Sequence, residues 1–441
     1  MIRGFRLGSV AARRFVSTAN ASTKYTTLSN GVTVATEVNP HAHSAAVGVF
    51  FGAGSRSENP YSNGVAALTT SVLGRGIQNG VLFSSESTKE INGVIAHSTN
   101  ANATVAATEV AKIVSAAPEF IEKADFADAK AAQYAKAVAL EAEPSKMVLE
   151  HLNASAFQGY SLGLPTLGTT DSIPDLEKLD SLRFLEKHLV GSNTVVAASG
   201  NIEHDALVDA LEASLKISEG HKPAVAPASF LGSEVRLRDD TNPKAYVSIA
   251  VQGEGVTSPA YYVAKVGAAV FGDFDAKTAL AKFTSPKLAS IVQEYHIVDK
   301  YTHFSTSYSD TGLWGFNAEI SNIEQIDDFV HFTLKEWNRL TVSITDAEVA
   351  RAKAAVKTEI LASLNSPQAI VSDIGSKVLL NGYRASISQA LEAVDAISTK
   401  DVKNWASVAL WDQDIVIAGT GSIEDLLDYN RSRNAMAMMR W

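Results

Sequence analysis

Histidine is the side chain through which this sequence could bind a metal, because its 441 residues include ten histidines and no cysteine. A helical zinc site needs two imidazoles one turn apart, as in the H-E-x-x-H and H-x-x-E-H motifs. No two of the ten histidines stand four residues apart, so neither motif is present. The absence of cysteine also excludes thiolate zinc sites, iron–sulfur clusters, disulfides and a cysteine nucleophile.

The stretch "MVLEH" (147–151) comes nearest to an inverted zinc motif. Met147 stands where the first histidine would be, so His151 has no partner imidazole. We interpret the stretch as structural. It predicts Met147 and Leu149 in the core, with Glu150 and His151 partly exposed.

The other candidate sites have weaker patterns. His41 and His43 could share one face of a strand or turn, but zinc sites use three or four protein ligands, so we predict a polar turn. The stretches "GAGSRSE" (52–58) and "GTGSIE" (419–424) lack the spacing of phosphate-binding loops and are interpreted as turns. No G-x-S-x-G elbow opens a helix after a strand, although a Ser–His–Asp triad dispersed along the chain stays open.

Charge and hydropathy restrict the class of protein. The net charge is −10 and the basic residues are interspersed, which argues against a nucleic-acid partner because polyanions bind clustered positive charge. The most apolar run, residues 44–54, is far shorter than the roughly 20 residues of a membrane helix, so we predict no transmembrane segment. A chain of 441 residues that is 46% hydrophobic is expected to form at least two domains.

The first fifteen residues, "MIRGFRLGSVAARRF", differ from the rest of the chain. They contain four arginines, and the first acidic residue is Glu37. A basic, acid-free, serine-containing start is typical of a mitochondrial transit peptide, and the alternative is a frayed basic terminus. We assign residues 1–15 to a transit peptide with cleavage near Phe15 and Val16, which predicts a mitochondrial matrix destination.

Sequence patterns repeat at the scale of a domain. Residues 28–54 and 231–255 each predict a strand, an Asn-Pro turn and a longer apolar strand. Residues 195–212 and 416–429 each predict a buried strand, a glycine turn and an acidic helix start. The chain therefore has two halves built on one plan.

The segment between the repeats, "EGHKPAVAPASFLGS" (219–233), contains prolines and glycines and no helical or strand pattern. We predict that it links two homologous domains, which span residues 22–218 and 234–441.

Long helical patterns separate the strands inside each half. They cover residues 125–143 and 345–364, and the second has Thr345 as N-cap and Glu348 at N3. Residues 171–174 are predicted to open a further helix. Strand pairs, central helices and a final strand predict an α+β fold with two homologous domains, each a mostly antiparallel sheet with helices on one face.

The C-terminal stretch "LLDYNRSRNAMAMMRW" (426–441) mixes Met436, Met438, Met439 and Trp441 with three arginines. Such an amphipathic tail is unfavourable in water. It is expected either to fold back on its own domain or to contact a partner.

The stretch "GAGSRSENPYSNGVAAL" (52–68) and the repeated halves resemble the inverted-zinc-motif, pitrilysin-like peptidases, a family that includes the mitochondrial processing peptidase. The resemblance covers nearly the whole chain after residue 15. Active members follow N-G-x-A with H-F-L-E-H, whose histidines bind zinc and whose glutamate activates water. The resemblance places these three residues at Ala67, Thr70 and Ser71, and the third ligand on or next to Lys136.

None of these side chains can replace an imidazole or a carboxylate in a zinc site. The resemblance thus implies no catalytic, metal-binding or cofactor-binding residues. The glycine-rich loop of the processing peptidase's non-catalytic subunit is also missing, since residues 271–290 contain one glycine.

Three stretches, 230–245, 331–353 and 410–429, are more closely similar to the non-catalytic core subunits of fungal complex III (ubiquinol–cytochrome c reductase) within this family. That similarity implies a structural subunit, peripheral on the matrix side of the inner membrane. It would pair with core protein 2 and with other subunits of a dimeric complex III, and would hold no cofactor of its own. The alternative is a subunit of a mitochondrial processing peptidase, or a peptidase acting through an unrecognised site.

Overall fold

The computed structural model describes residues 23–279, 281–283 and 286–437. The predicted transit peptide lies outside the described residues, as do Met438, Met439, Arg440 and Trp441.

The first half of the chain forms a seven-stranded sheet. Its strands in chain order are β1 (Lys24–Thr27), β2 (Thr33–Val38), β3 (Ser44–Phe51), β4 (Ile77–Gln78), β5 (Val81–Ser87), β6 (Asn92–Thr99) and β7 (Thr194–Gly200). Their order across the sheet is β1-β2-β7-β3-β6-β5-β4. Neighbours are antiparallel except β2 and β7, which are parallel.

The second half forms a six-stranded sheet on the same plan. Its strands are β8 (Ser233–Arg238), β9 (Ala245–Gly253), β10 (Asp273–Asp275), β11 (Lys300–Ser307), β12 (Gly312–Ile320) and β13 (Ile415–Gly421). Their order is β10-β11-β12-β9-β13-β8, with only β8 and β13 parallel. The predicted α+β class with two mostly antiparallel sheets is confirmed.

Helices fill the connections between the strands. Those of the first half are α1 (Val65–Leu73), α2 (Ala103–Ser115), α3 (Ala117–Lys123), α4 (Phe126–Glu141), α5 (Pro144–Ala156), α6 (Lys178–His188) and α7 (His204–Ser214). Those of the second are α8 (Tyr261–Phe271), α9 (Lys287–Tyr295), α10 (Ile326–Val342), α11 (Asp346–Ser363), α12 (Pro367–Asn381), α13 (Ile387–Ala396), α14 (Thr399–Ala409) and α15 (Tyr429–Ala437). None of the helices within the described ranges is long and apolar enough to cross a membrane.

Two of the predicted helices form as expected, and a third begins later than predicted. Helices α4 and α11 match the predicted helical patterns, and Thr345 and Glu348 form the capping box of α11. The helix predicted to open at residues 171–174 instead begins at Lys178. Ile173–Asp175 makes a single 3₁₀ turn, and a capping box between Glu177 and Asp180 starts the helix.

The two halves exchange one helix each. Helix α12 of the second half packs on β3 and β7 of the first sheet, and α5 of the first half packs on β9 and β13 of the second. Both sheets are apolar on both faces, so each face needs a cover. The prediction of helices on one face of each sheet was therefore incomplete, because the other half covers the second face.

The exchanged helices are buried through matching apolar clusters. Helix α12 contributes Ile370, Val371 and Ile374 to a cluster with Ala46, Phe50 and Ala197. Helix α5 contributes Val148, Leu152 and Ala156 to a cluster with Ala250, Val416 and Ala418.

The connection between the halves and the end of the chain complete the fold. Residues 215–232 contain no helix or strand, and Ser233 begins β8. Met436, on α15, is fully buried in the core of the second half. For this residue the fold-back alternative is correct, because its own domain already covers the side chain.

Candidate functional site

The positions of the family's zinc motif lie on α1, and a buried hydrogen-bonded frame holds the start of that helix. The carboxylate of Glu58 accepts bonds from the backbone N–H of Gly64 (2.8 Å) and of Ala66 (2.7 Å) and from Asn63 Nδ2 (2.8 Å). These bonds satisfy N–H groups that a helix start leaves without intrahelical partners. Burial raises the pKa of Glu58 to about 7, although the three bonds oppose that rise.

The three motif positions carry no free ligand atom. Ala67 is buried and has no heteroatom. Thr70 is fully buried, and its hydroxyl donates to the carbonyl of Ala66 at 2.8 Å. The hydroxyl of Ser71 donates to the carbonyl of Leu68 at 2.8 Å. Both hydroxyls are thus bonded to their own helix.

Helix α4 places Gln133 opposite the start of α1. Lys136 is exposed, whereas Gln133 and Ala137 are buried on one face of the helix. Gln133 Nε2 donates to the carbonyls of Gly64 (2.9 Å) and Leu167 (2.6 Å). The resemblance places the third ligand on or next to Lys136, and of these positions Ala137 is buried on the same helical face as Gln133.

The histidines singled out in the sequence stay apart. His41 and His43 are exposed in the turn after β2, as predicted. His151 is half-buried on α5, and burial lowers its pKa. Within the part of the chain that the structure describes, no three His, Asp or Glu side chains are grouped so that they could hold a metal ion.

The prediction of which residues of α5 lie in the core was wrong by one position. Met147 and Leu149 are only half-buried, whereas Val148 and Leu152 are fully buried. The apolar run "MVL" leaves the buried face ambiguous, and the contact with the second sheet selects Val148.

Sequence reasoning missed a buried ionic network around Arg56, whose side chain is 3% exposed. Its guanidinium contacts Glu90 Oε1 (2.7 Å), in the β5–β6 turn, and Asp310 Oδ2 (2.7 Å), in the β11–β12 turn. Ser309 N donates to Glu90 Oε2 at 2.8 Å. The equivalent hairpin turns of the two halves thus meet, with Arg56 between them. A lone arginine in the glycine-rich stretch 52–58 was the only sequence signal.

A second buried arginine also links the halves, and this one belongs to the second half. Arg384 follows α12, its side chain is 2% exposed, and it pairs with Glu37 of β2. Its Nε donates to Asp373 Oδ2 at 2.6 Å. Burial alone would lower the pKa of Arg384, but the carboxylates of Asp373 and Glu37 raise it above the ordinary value.

A cavity of about 440 Å³ lies between α5 and strands β11 and β12. Its walls are both charged and apolar, and include Glu143, Lys146, Leu149, Asn153, Phe304 and Asn317. The cavity wall is therefore built by both halves.

Comparison with known protein families identifies both halves. Residues 33–170 match the model described as insulinase (peptidase family M16), and residues 175–356 match the model described as the peptidase M16 inactive domain.

Full-length relatives occur among mitochondrial proteins. The chain is 60% identical to the cytochrome b-c1 complex reductase subunit of Candida albicans, over 100% of both chains. It is 42% identical to cytochrome b-c1 complex subunit 1 of Saccharomyces cerevisiae, over 97% of both. It is 37% identical to the probable mitochondrial-processing peptidase subunit beta of Schizosaccharomyces pombe, over 97% of this chain and 98% of that one.

A chain in a solved structure, complex III2 from Candida albicans with Inz-5 bound, superposes with a TM-score of 0.92 at 60% identity. The match covers 95% of this chain and 100% of that chain.

Proposed function

The chain belongs to peptidase family M16, and from that premise we propose that it is a non-catalytic core subunit of mitochondrial complex III, ubiquinol–cytochrome c reductase. The observation that carries the proposal is the full-length match, at 60% identity, to a relative named as a cytochrome b-c1 complex subunit. The superposition on a chain of complex III2 also supports it.

The geometry of α1 supports a structural role over an enzymatic one. A zinc peptidase needs two imidazoles, a distal carboxylate and a glutamate base. The matching positions carry Ala67, Thr70 and Ser71, and the two hydroxyls are bonded within the helix. In this proposal α1 is retained because the hydrogen bonds at its start stabilise the first half.

The subunit would sit on the matrix side of the inner membrane, peripheral to it, after loss of residues 1–15. It would pair with core protein 2 and contact the membrane-embedded subunits of the dimeric complex, which carry the haem, iron–sulfur and quinone chemistry. The absence of a membrane-spanning helix in the described ranges agrees with a peripheral position.

The experiment is purification of the tagged chain from mitochondrial membranes, followed by identification of its companions and metal analysis. The expected result is stoichiometric recovery of cytochrome b and cytochrome c1 with no zinc on this chain. Deletion of the chain should abolish the assembled complex and its quinol-dependent reduction of cytochrome c. Recovery of a processing-peptidase partner together with chelator-sensitive cleavage of presequence peptides would instead support the alternative function.

A further inference from the structure

The segment that joins the halves, residues 219–232, is held along its length and is termed the strap. It has no helix or strand, but both halves bind it. Ser192 Oγ donates to the carbonyl of Gly220 (2.6 Å), and Lys222 Nζ donates to that of Leu379 (3.1 Å). The strap therefore follows one fixed path.

The middle of the strap is attached to the Arg56 network. Arg56 Nη2 donates to the carbonyl of Ala226 at 2.9 Å, and the backbone N–H of Ala228 donates to Asp310 Oδ2 at 2.8 Å. One guanidinium thus binds the first half through Glu90, the second half through Asp310, and the strap.

The end of the strap covers α5. Ala228 and Phe230 pack against the apolar cluster that α5 forms with the second sheet. The backbone N–H of Leu231 donates to the carbonyl of Ala156 at the end of α5, at 2.9 Å. Leu152 belongs to that cluster and also lines the cavity beside α5. The strap is therefore a lid over one side of the exchanged helix.

The contact between the two hairpin turns depends on the positive charge of Arg56. Glu90 Oε1 and Asp310 Oδ1 both contact the same nitrogen of Arg56, at 2.7 and 2.8 Å, so the two carboxylates lie close together. Burial alone would lower the pKa of Arg56, but the hydrogen bonds that it donates to Asp310 and Glu90 raise that pKa, so the side chain stays charged. Without the guanidinium, two like charges would face each other across the meeting point of the halves.

We infer that Arg56 holds the strap over α5 and keeps the β5–β6 and β11–β12 turns in contact with each other. Its loss releases the strap and separates the turns while both sheets stay folded. The exchanged helices and the Arg384 network continue to hold the halves together. The inference concerns this chain alone and does not rest on the proposed function.

The test is hydrogen exchange measured by mass spectrometry on the full chain carrying Arg56→Met. The matched control is Arg339→Met, which removes an arginine bonded to Glu336 (2.6 Å) and to Glu348 (2.6 Å) inside the second half. The informative peptides are 225–232, which reports the bonded amides of Ala228 and Leu231, and 305–312, which contains the β11–β12 turn.

Exchange in both peptides should be at least roughly tenfold faster in Arg56→Met and unchanged in Arg339→Met, because removing one partner of a buried pair leaves uncompensated charge. Arg56→Lys keeps the charge but not the planar guanidinium, so its exchange rates should lie between those of Arg56→Met and of the unmodified chain. Unchanged exchange, an equal rise in the control, or a uniform rise across both sheets would overturn the inference. If Arg56→Met does not fold, Asp310→Asn should give the same localised pattern with a smaller amplitude, and its failure to do so would have the same consequence.

Discussion

The two halves bury different side chains under the same strand order. In the second half, Trp314 lies between Trp337 and Trp405, with ring centroids 5.0 and 5.4 Å apart. In the first half, α2 packs on its sheet mainly through small residues, including Ala106 and Ala107. One plan therefore accepts tryptophan rings or small aliphatic side chains between helix and sheet, provided that each sheet face is covered.

The difference extends to the helix that follows the first long strand of each half. In the second half, α8 presents Gly267 to the ring of Trp405. In the first half, α1 is set by polar contacts, with Glu58 at its start and Gln133 bound to the carbonyl of Gly64. The helix on which the resemblance places the zinc motif is therefore held at its start by hydrogen bonds.

Deleting an aromatic ring from the second half should cause the largest loss of stability. Trp337→Ala removes a fully buried side chain and leaves His303 without the indole N–H that bonds to its Nε2 at 3.1 Å. We expect a loss of about 4 kcal/mol in the free energy of unfolding, measured with denaturant. The exposed control Val408→Ala should change it by less than about 0.5 kcal/mol. A loss below about 1 kcal/mol for Trp337→Ala would contradict an aromatic core.

Adding one methyl group at a close contact between α12 and the first sheet tests the packing of the first half. Ideal Cβ atoms at Gly48, Gly93 and Gly375 would all collide with the ring of Phe50, which α12 covers. Gly375→Ala should therefore lower the free energy of unfolding by about 2 kcal/mol, even though alanine favours helix. Ser376→Ala, at the next position of α12, is the control for helix propensity. Stabilisation by Gly375→Ala would show that α12 has room to move.

Each half buries a histidine whose pKa is strongly lowered, which predicts a loss of stability in acid from both halves. Burial lowers the pKa of His303 in the second half to about 3, and of His188 in the first half to about 4. A lowered folded-state pKa means that the unfolded chain binds more protons below pH 6.5, so stability is full above pH 6.5 and falls as the pH drops towards those values. Each histidine should account for about 1.4 kcal/mol at pH 5.5.

The measurement is the free energy of unfolding between pH 7 and 5 for His303→Gln and His188→Gln. Each variant should show a shallower pH dependence than the unmodified chain, by the contribution of one proton. Parallel curves for all three proteins would mean that neither histidine is held neutral.

Restoring the zinc motif should give only a small gain in function, because Ala67 and Thr70 are buried. Ala67→His, Thr70→Glu and Ser71→His place two imidazoles and a carboxylate on one helical face, so weak zinc binding is expected, without peptidase activity. Adding Ala137→Glu should tighten zinc binding, whereas Lys136→Glu, at an exposed position, should not. Calorimetric zinc titration and cleavage of a presequence peptide with and without chelator are the measurements. Chelator-sensitive cleavage by the triple variant would refute the view that the distal ligand is also lost.

Sequence patterns predicted elements well where local rules suffice. The repeated strand pairs, helices α4 and α11 and the Thr345–Glu348 capping box follow from alternation, helical spacing and capping chemistry. The degenerate positions on α1 followed from resemblance to a motif, and the structure adds that the hydroxyls of Thr70 and Ser71 bond to their own helix.

Contacts between the halves could not be predicted from sequence patterns. An apolar face on α5 or α12 shows that something covers it, but periodicity does not tell which sheet does so. For the same reason Val148 was overlooked in favour of Met147 and Leu149. Arg56 looked like an ordinary loop arginine, because its carboxylate partners lie 34 and 254 residues away.

The exchange of α5 and α12 also sets an order on folding during synthesis and import. The first sheet is complete once Gly200 has emerged, yet its second face stays bare until residues 367–381 arrive. A nascent or importing chain therefore exposes an apolar sheet face while more than a third of its length is still to come. Long-range closure of this kind is slow and prone to aggregation, so newly synthesised chains should bind chaperones until α12 docks.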